Sequence, residues 1–189
     1  MYNCGNTDKP IYPTTEQPKP YTYVLKPDES VKEYVQEFKR ICDIKHIVVC
    51  LARWSKLKTV TVVDEATLRK DSKGEKWAGV CWEWTDSNNN LVRADIQVLD
   101  NDGYGNKWSP ESLEGLIYHE LGHCLLDLEH EASPPDRPKM MNPALYDNQV
   151  YVDNWDKMVE EEFSIPNLAL FEEYGISEEE LILTAHPFY

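Results

Sequence analysis

His119, Glu120 and His123 stand in one short run, His119-Glu120-Leu121-Gly122-His123, an H-E-x-x-H pattern. On a helix, residues four apart differ by only ~40° in azimuth and by about one turn in height. His119 and His123 would therefore project side by side and chelate one metal ion. Glu120, at a neighbouring azimuth, would hold a water on that ion without being a ligand itself. The chemistry this suits is zinc-assisted hydrolysis, in which three protein ligands hold the metal, water takes the open position, and a carboxylate moves the water's proton.

The helix that must carry these residues is legible on independent grounds. Ser109 is a capping residue, Pro110 suits a first helical position, and Glu111 sits well against the positive end of the dipole. From there Leu113, Leu116, Ile117, Leu121, Cys124, Leu125 and Leu128 recur at intervals of three and four, an apolar stripe with the histidines off it. A third ligand has to come from downstream, and His130 is the first candidate. Were the helix to continue, His130 would lie about 10 Å further along the axis than His123 and out of reach. The chain must turn back after Leu126, and Asp127 is a residue type that tolerates the left-handed conformation such a turn needs.

The run from His119 to His130, followed by Met140-Met141-Asn142-Pro143, resembles the H-E-x-G-H-x-x-G-x-x-H and methionine turn of metzincin peptidases, and of the matrixin branch in particular. One extra residue separates the second and third histidines, and Asp127 stands where the family has glycine. In strict register the third-ligand position falls on Glu129. Asp127-Leu128-Glu129-His130 matches the family's G-L-D-H better, which favours His130. A gluzincin-like alternative would take a glutamate from a downstream helix, Glu160, Glu161 or Glu162, although such an acidic run is more often a solvated face. The resemblance covers roughly residues 44 to 162. It implies an α+β, zincin-like fold: a mixed, twisted sheet packed on the active-site helix, with a small C-terminal helical subdomain. It also implies that Glu120 is the general base, that His119, His123 and His130 hold Zn2+, and that the Met141 thioether forms a floor beneath the metal. Tyr146 would line the pocket beside it.

Composition fits one domain with appendages. The 189 residues are 41% apolar and carry a net charge of −15, which argues against nucleic-acid or anionic-membrane partners and leaves a peptide or protein substrate. Five cysteines, Cys4, Cys42, Cys50, Cys81 and Cys124, are an odd number without the dense spacing of a disulfide framework, and Cys124 reads as a buried hydrophobe. The first twenty residues lack the apolar core of a signal peptide, and no stretch reaches transmembrane length. Cytoplasmic, virion and secreted locations, the last after removal of a leader, all stay open.

In chain order, residues 1–28 are an extended, proline-rich arm that would order only against the domain surface or a partner protein. Cys4-Gly5-Asn6-Thr7-Asp8 faintly resembles the matrixin cysteine switch but lacks its arginine and proline. The metzincin-like catalytic domain is expected over 29–164. Val31, Tyr34, Val35, Phe38 and Ile41 predict an amphipathic helix over 29–41, and β-like runs follow at 44–51, 59–63, 77–84 and Leu91–Leu99. The resemblance makes the strand nearest the cleft an edge strand that pairs with substrate; by position this is Leu91–Leu99, with Asp95, Ile96, Gln97 and Val98 as substrate-binding candidates. Asp100, Asn101, Asp102, Gly103, Tyr104, Gly105 and Asn106 form an oxygen-rich loop compatible with Ca2+ but equally with a plain turn. A second helix is predicted over 152–163, and residues 165–189 form a C-terminal helical appendage, with helices at 167–174 and 177–184. The arm, the appendage and the irregular ligand spacing also suit a second reading: a structural or assembly component, of a virion for example, built on a metzincin-like domain with zinc as a staple.

Overall fold

The computed structural model describes residues 25–68, 77–88, 90–102, 105–134 and 136–164. These form β1 (Lys26–Pro27), α1 (Lys32–Ile44), α2 (Val48–Trp54), β2 (Leu57–Val63), β3 (Gly79–Thr85), β4 (Leu91–Leu99), α3 (Pro110–Leu126) and α4 (Asn148–Glu162). The fold is α+β, with a four-stranded mixed sheet in the order β1-β2-β4-β3. Strands β1, β2 and β4 run parallel, and β3 is antiparallel to β4.

Helix α3 is the axis of the molecule. Ser109 is extended and its hydroxyl accepts from the Ser112 amide at 3.1 Å, so capping and Pro110 start the helix where the sequence predicts. Every residue from Gly115 to Leu126 is buried. The sequence suggests a single apolar stripe; the helix is instead enclosed on all sides by the sheet, α1, α2 and α4, so its polar residues are buried with the rest. Phe38 of α1 stacks edge-on to Tyr118 at 5.2 Å, and Tyr118 meets Trp155 of α4 at 4.9 Å. Ala94, Ile96 and Val98 of β4 are fully buried in the same core. A smaller cluster of Leu68, Trp77, Val80 and Leu99 forms a second core.

Three expectations are corrected. The apolar run 44–51 is not a strand: α1 extends to Ile44, His46 takes a positive φ of 52°, and α2 begins at Val48. Val48, Val49 and Cys50 are consecutively buried, and a short segment buried all round has no period that separates helix from strand. Leu91–Leu99 is a strand with those bounds but not an edge, because β2 pairs with one side of it and β3 with the other. The described end of the N-terminal arm is extended along the sheet: Lys26 and Pro27 pair with Thr59 and Val60, and the Asp28 carboxylate accepts from the Val62 amide at 2.6 Å, while residues 1–24 lie outside the described residues. Cys124 is not a lone hydrophobe but is disulfide-bonded to Cys81, and a second disulfide joins Cys42 to Cys50. The 43-residue separation of Cys81 and Cys124 is set by tertiary packing, which explains why local spacing does not reveal the pair. Cys4 and the appendage over 165–189 lie outside the described residues.

Candidate metal centre

His119 and His123 project from adjacent turns of α3 with their Nε2 atoms 3.1 Å apart. The helix then ends at Asp127, which adopts the left-handed conformation, φ 57° and ψ 34°, while the Leu128 amide donates back to the Gly122 carbonyl at 3.2 Å. This closing turn swings the chain back along the helix. His130 consequently arrives with its Nε2 3.2 Å from that of His119 and 3.1 Å from that of His123. The sequence expectation for both the turn and the third histidine is met, extra residue included. Glu129 is exposed, Glu160 pairs with Lys45 at 2.9 Å on the surface, and among the described residues the metal-competent cluster consists of the three histidines.

The protons of this cluster are placed by carbonyls. His119 Nδ1 lies 2.8 Å from the Met140 carbonyl and His123 Nδ1 lies 2.6 Å from that of Leu128. A carbonyl only accepts, so each Nδ1 carries the hydrogen and each Nε2 presents a lone pair. Burial drives the pKa of His119 well below its usual value, lowers that of His123 to about 4, and lowers that of His130. The imidazoles are thus neutral near pH 7, the form in which they ligate. Lone pairs converging on one another cannot satisfy each other; a cation between them can. Metal–nitrogen bonds of about 2.0–2.1 Å at tetrahedral angles separate ligand nitrogens by about 3.3–3.4 Å, close to the near-equilateral triangle of 3.1–3.2 Å found here. The site can hold a divalent ion and leave one face of it open.

Two loops support the triangle. The Glu131 amide donates to the Met141 carbonyl at 2.8 Å and the Ser133 amide to Asn142 Oδ1 at 3.0 Å, so the segment that brings in His130 is clipped to the methionine turn. Met141 is buried against Gly122, where an added Cβ would come within 2.6 Å of both Met141 Sδ and Glu162 Oε1. Gly122 thereby lets the turn approach the helix between the two histidines. Glu162 is not a ligand; it is buried behind the turn, and desolvation raises its pKa well above the usual value. It lines a cavity of about 400 Å³ with Met140, Met141 and Met158, a space whose lining contains none of the three histidines. The Tyr146 hydroxyl bonds Ser133 Oγ and accepts from the Lys139 amide at 3.2 Å, so it braces the loop between His130 and the methionine turn.

Glu120 is fully buried on the opposite side of the site, against β3. Its Oε1 stands where a Cβ on Gly79 would come within 2.6 Å, so the absence of a side chain there makes room for the carboxylate. The sequence offered no sign of this pairing. The substrate candidates on β4 turn out differently: Ile96 and Val98 are in the core, Gln97 pairs in register with Thr61 and Val80, and Asp95 is buried. The Asp95 carboxylate accepts from Thr59 Oγ1 at 2.7 Å and from Arg93 Nε at 2.6 Å, which makes it a sheet-bracing residue. In the oxygen-rich loop, Asp102 accepts from the Asn106 amide and side chain and Asp100 from Asn101, turn bonds that occupy carboxylate oxygens a calcium ion would need. Gly103 and Tyr104 lie outside the described residues.

No protein-family model, curated protein or solved structure matches the chain.

Proposed function

We propose that the chain is a zinc-dependent metalloendopeptidase of metzincin type. The observation that carries this reading is the triangle of three neutral imidazoles, two of them with their far nitrogens fixed by carbonyls, beside a buried glutamate one residue from the first ligand. His119, His123 and His130 hold the ion, and the all-imidazole donor set suits zinc. Zinc, when bound, supplies Lewis acidity to the scissile carbonyl and to the attacking water. Glu120 takes the proton from that water and delivers it to the departing amine, completing the exchange of a C–N bond for a C–O bond. Gly79 leaves the carboxylate the space to do this. Asn142, Tyr146 and the Met140 carbonyl keep the ligand loops in place. Two disulfides suit an oxidising compartment, so we place the protein's work outside the reducing cytoplasm. Among the described residues no helix is long and apolar enough to cross a membrane.

Elemental analysis and a peptide-library digest test the reading together. One zinc per chain and cleavage by the wild type are expected, with Glu120→Gln retaining zinc and losing cleavage by about 10²–10⁴-fold. Zinc without cleavage by the wild type favours the assembly reading, with the metal as a staple. Equal cleavage by Glu120→Gln removes Glu120 from the mechanism.

A further inference from the structure

Strand β3 and helix α3 run side by side in matched steps. Gly79 meets Glu120, Cys81 is bonded to Cys124, and Glu83 reaches the helix's closing turn through Arg53. Two strand residues advance about 6.6 Å and four helical residues about 6.0 Å, so alternate β3 side chains keep pace with successive turns of the helix. The last of these steps is ionic. Arg53, in the final turn of α2, is buried; its Nη1 donates to Glu83 Oε1 at 2.9 Å and to the Cys124 carbonyl at 3.2 Å, and its Nη2 lies 2.8 Å from Asp127 Oδ1. One guanidinium thus ties the strand, a buried carbonyl in the last turn of the helix and the residue at which the helix stops.

We propose that Arg53 is the positioning residue for the third histidine. The inference rests on the metal-site reading above. Asp127 holds the left-handed conformation that costs a non-glycine residue free energy, and the direction in which the chain leaves it decides whether His130 reaches the other two imidazoles. A glycine would take that conformation without help. An aspartate tolerates it at greater cost than glycine, and the planar fork of Arg53 anchors it there while fixing the helix end to β3.

The test is a double-mutant cycle on metal affinity, measured by competition against a chromophoric chelator on the full chain, with visible spectra of the Co2+ form reporting coordination. Arg53→Met is expected to weaken Zn2+ binding by about 10–100-fold in the wild-type background and to reduce the intensity of the Co2+ bands. In the His130→Ala background the same change is expected to cost less than about twofold, because the ligand it positions is gone. Arg53→Lys, a point charge without the fork, is expected to restore only part of the loss. Should Arg53→Met fail to fold, Asp127→Asn at the half-exposed end of the same bond takes its place, with a several-fold weakening expected. Equal losses in both backgrounds mean that Arg53 acts only on overall stability, and unchanged affinity removes it altogether; either overturns the proposal. Wild-type protein that binds no Zn2+ overturns the metal-site reading and this inference with it, an outcome distinct from wild-type binding that Arg53→Met leaves intact.

Discussion

Where α3 faces β3 it meets a bare glycine, a disulfide and an arginine-bridged glutamate; where it faces α4 it meets Tyr151, Trp155 and, at the far end, the buried Glu162. The contrast is clearest in its glycines. A Cβ on Gly79 would press on the Glu120 carboxylate, whereas a Cβ on Gly115 would press on the Tyr151 ring. On the first flank, space and specific bonds are allotted to polar and covalent partners, one contact per turn. On the second, apolar surface is filled by large rings, contacts that carry stability rather than position. The disulfide apart, a substitution on the β3 flank should therefore reach activity or metal binding first, and one on the α4 flank should reach the melting temperature first.

The covalent step of the β3 flank gives the largest expected effect on stability. On the chain-entropy account, a disulfide closing 43 residues contributes about 4 kcal/mol and one closing 8 residues about 2.5 kcal/mol. Denaturant titration of the paired alanine variants should place Cys81→Ala/Cys124→Ala well below Cys42→Ala/Cys50→Ala. The metal affinity should fall more in the former, since Cys124 adjoins His123. A larger loss from the α1–α2 pair would show that loop length does not set what each disulfide contributes. Next in size are the two glycines. Gly79→Ala forces Glu120 to shift and should lower peptide hydrolysis by about 10²-fold with zinc retained, the scale of a 1 Å misplacement. Gly115→Ala should cost about 1–3 kcal/mol by overpacking and leave the rate per folded molecule nearly unchanged. Activity assays normalised to bound zinc separate the two outcomes.

Much of the candidate site can be read in the chain because its parts are local. Ser109-Pro110 starts the helix, the four-residue spacing aligns His119 with His123, and the reach argument forces a turn of a kind that Asp127 tolerates. What escaped the sequence is what depends on partners distant along the chain. Nothing in 44–51 separates a buried helix from a buried strand, because burial on all sides erases the period. The order of β3 and β4 in the sheet is a matter of pairing that alternation does not encode, so the sequence points to Leu91–Leu99 as the edge strand while the structure has β3 at the edge, beside Glu120. Arg53 looks like any helical surface cation until Glu83 and Asp127 are brought to it from 30 and 74 residues further along the chain. A buried carboxylate at Glu162 is likewise invisible inside the acidic run 160–162.

The smallest expected effect is also the one that sets the two flanks against each other most directly. In metal-free protein the histidines have folded-state pKa values below their unfolded value of about 6.5, that of His123 near 4. Between those values the unfolded chain binds protons that the native site refuses, so stability should fall as pH drops from about 6.5 towards 4. Glu162 acts in the opposite sense. Its folded-state pKa lies above the ordinary carboxyl value of 4.5, so through the window above that value the native state keeps a proton that the unfolded chain releases, and stability should fall as pH rises. Thermal melts of apo-protein from pH 4 to pH 8 should show both slopes. Glu162→Gln, which keeps the shape of the neutral acid, should raise the melting temperature at pH 8 by a few degrees, on the scale of about 2–4 °C per kcal/mol. The gain should vanish as pH falls below 4.5, where the wild-type carboxyl becomes protonated in both states. It should leave the acid-side slope from the histidines untouched. A Glu162→Gln variant that melts lower than wild type at pH 8 would show that the carboxylate is ionised and held by a cation, and the α4 flank would then be a second place where charge, not apolar filling, fixes the helix.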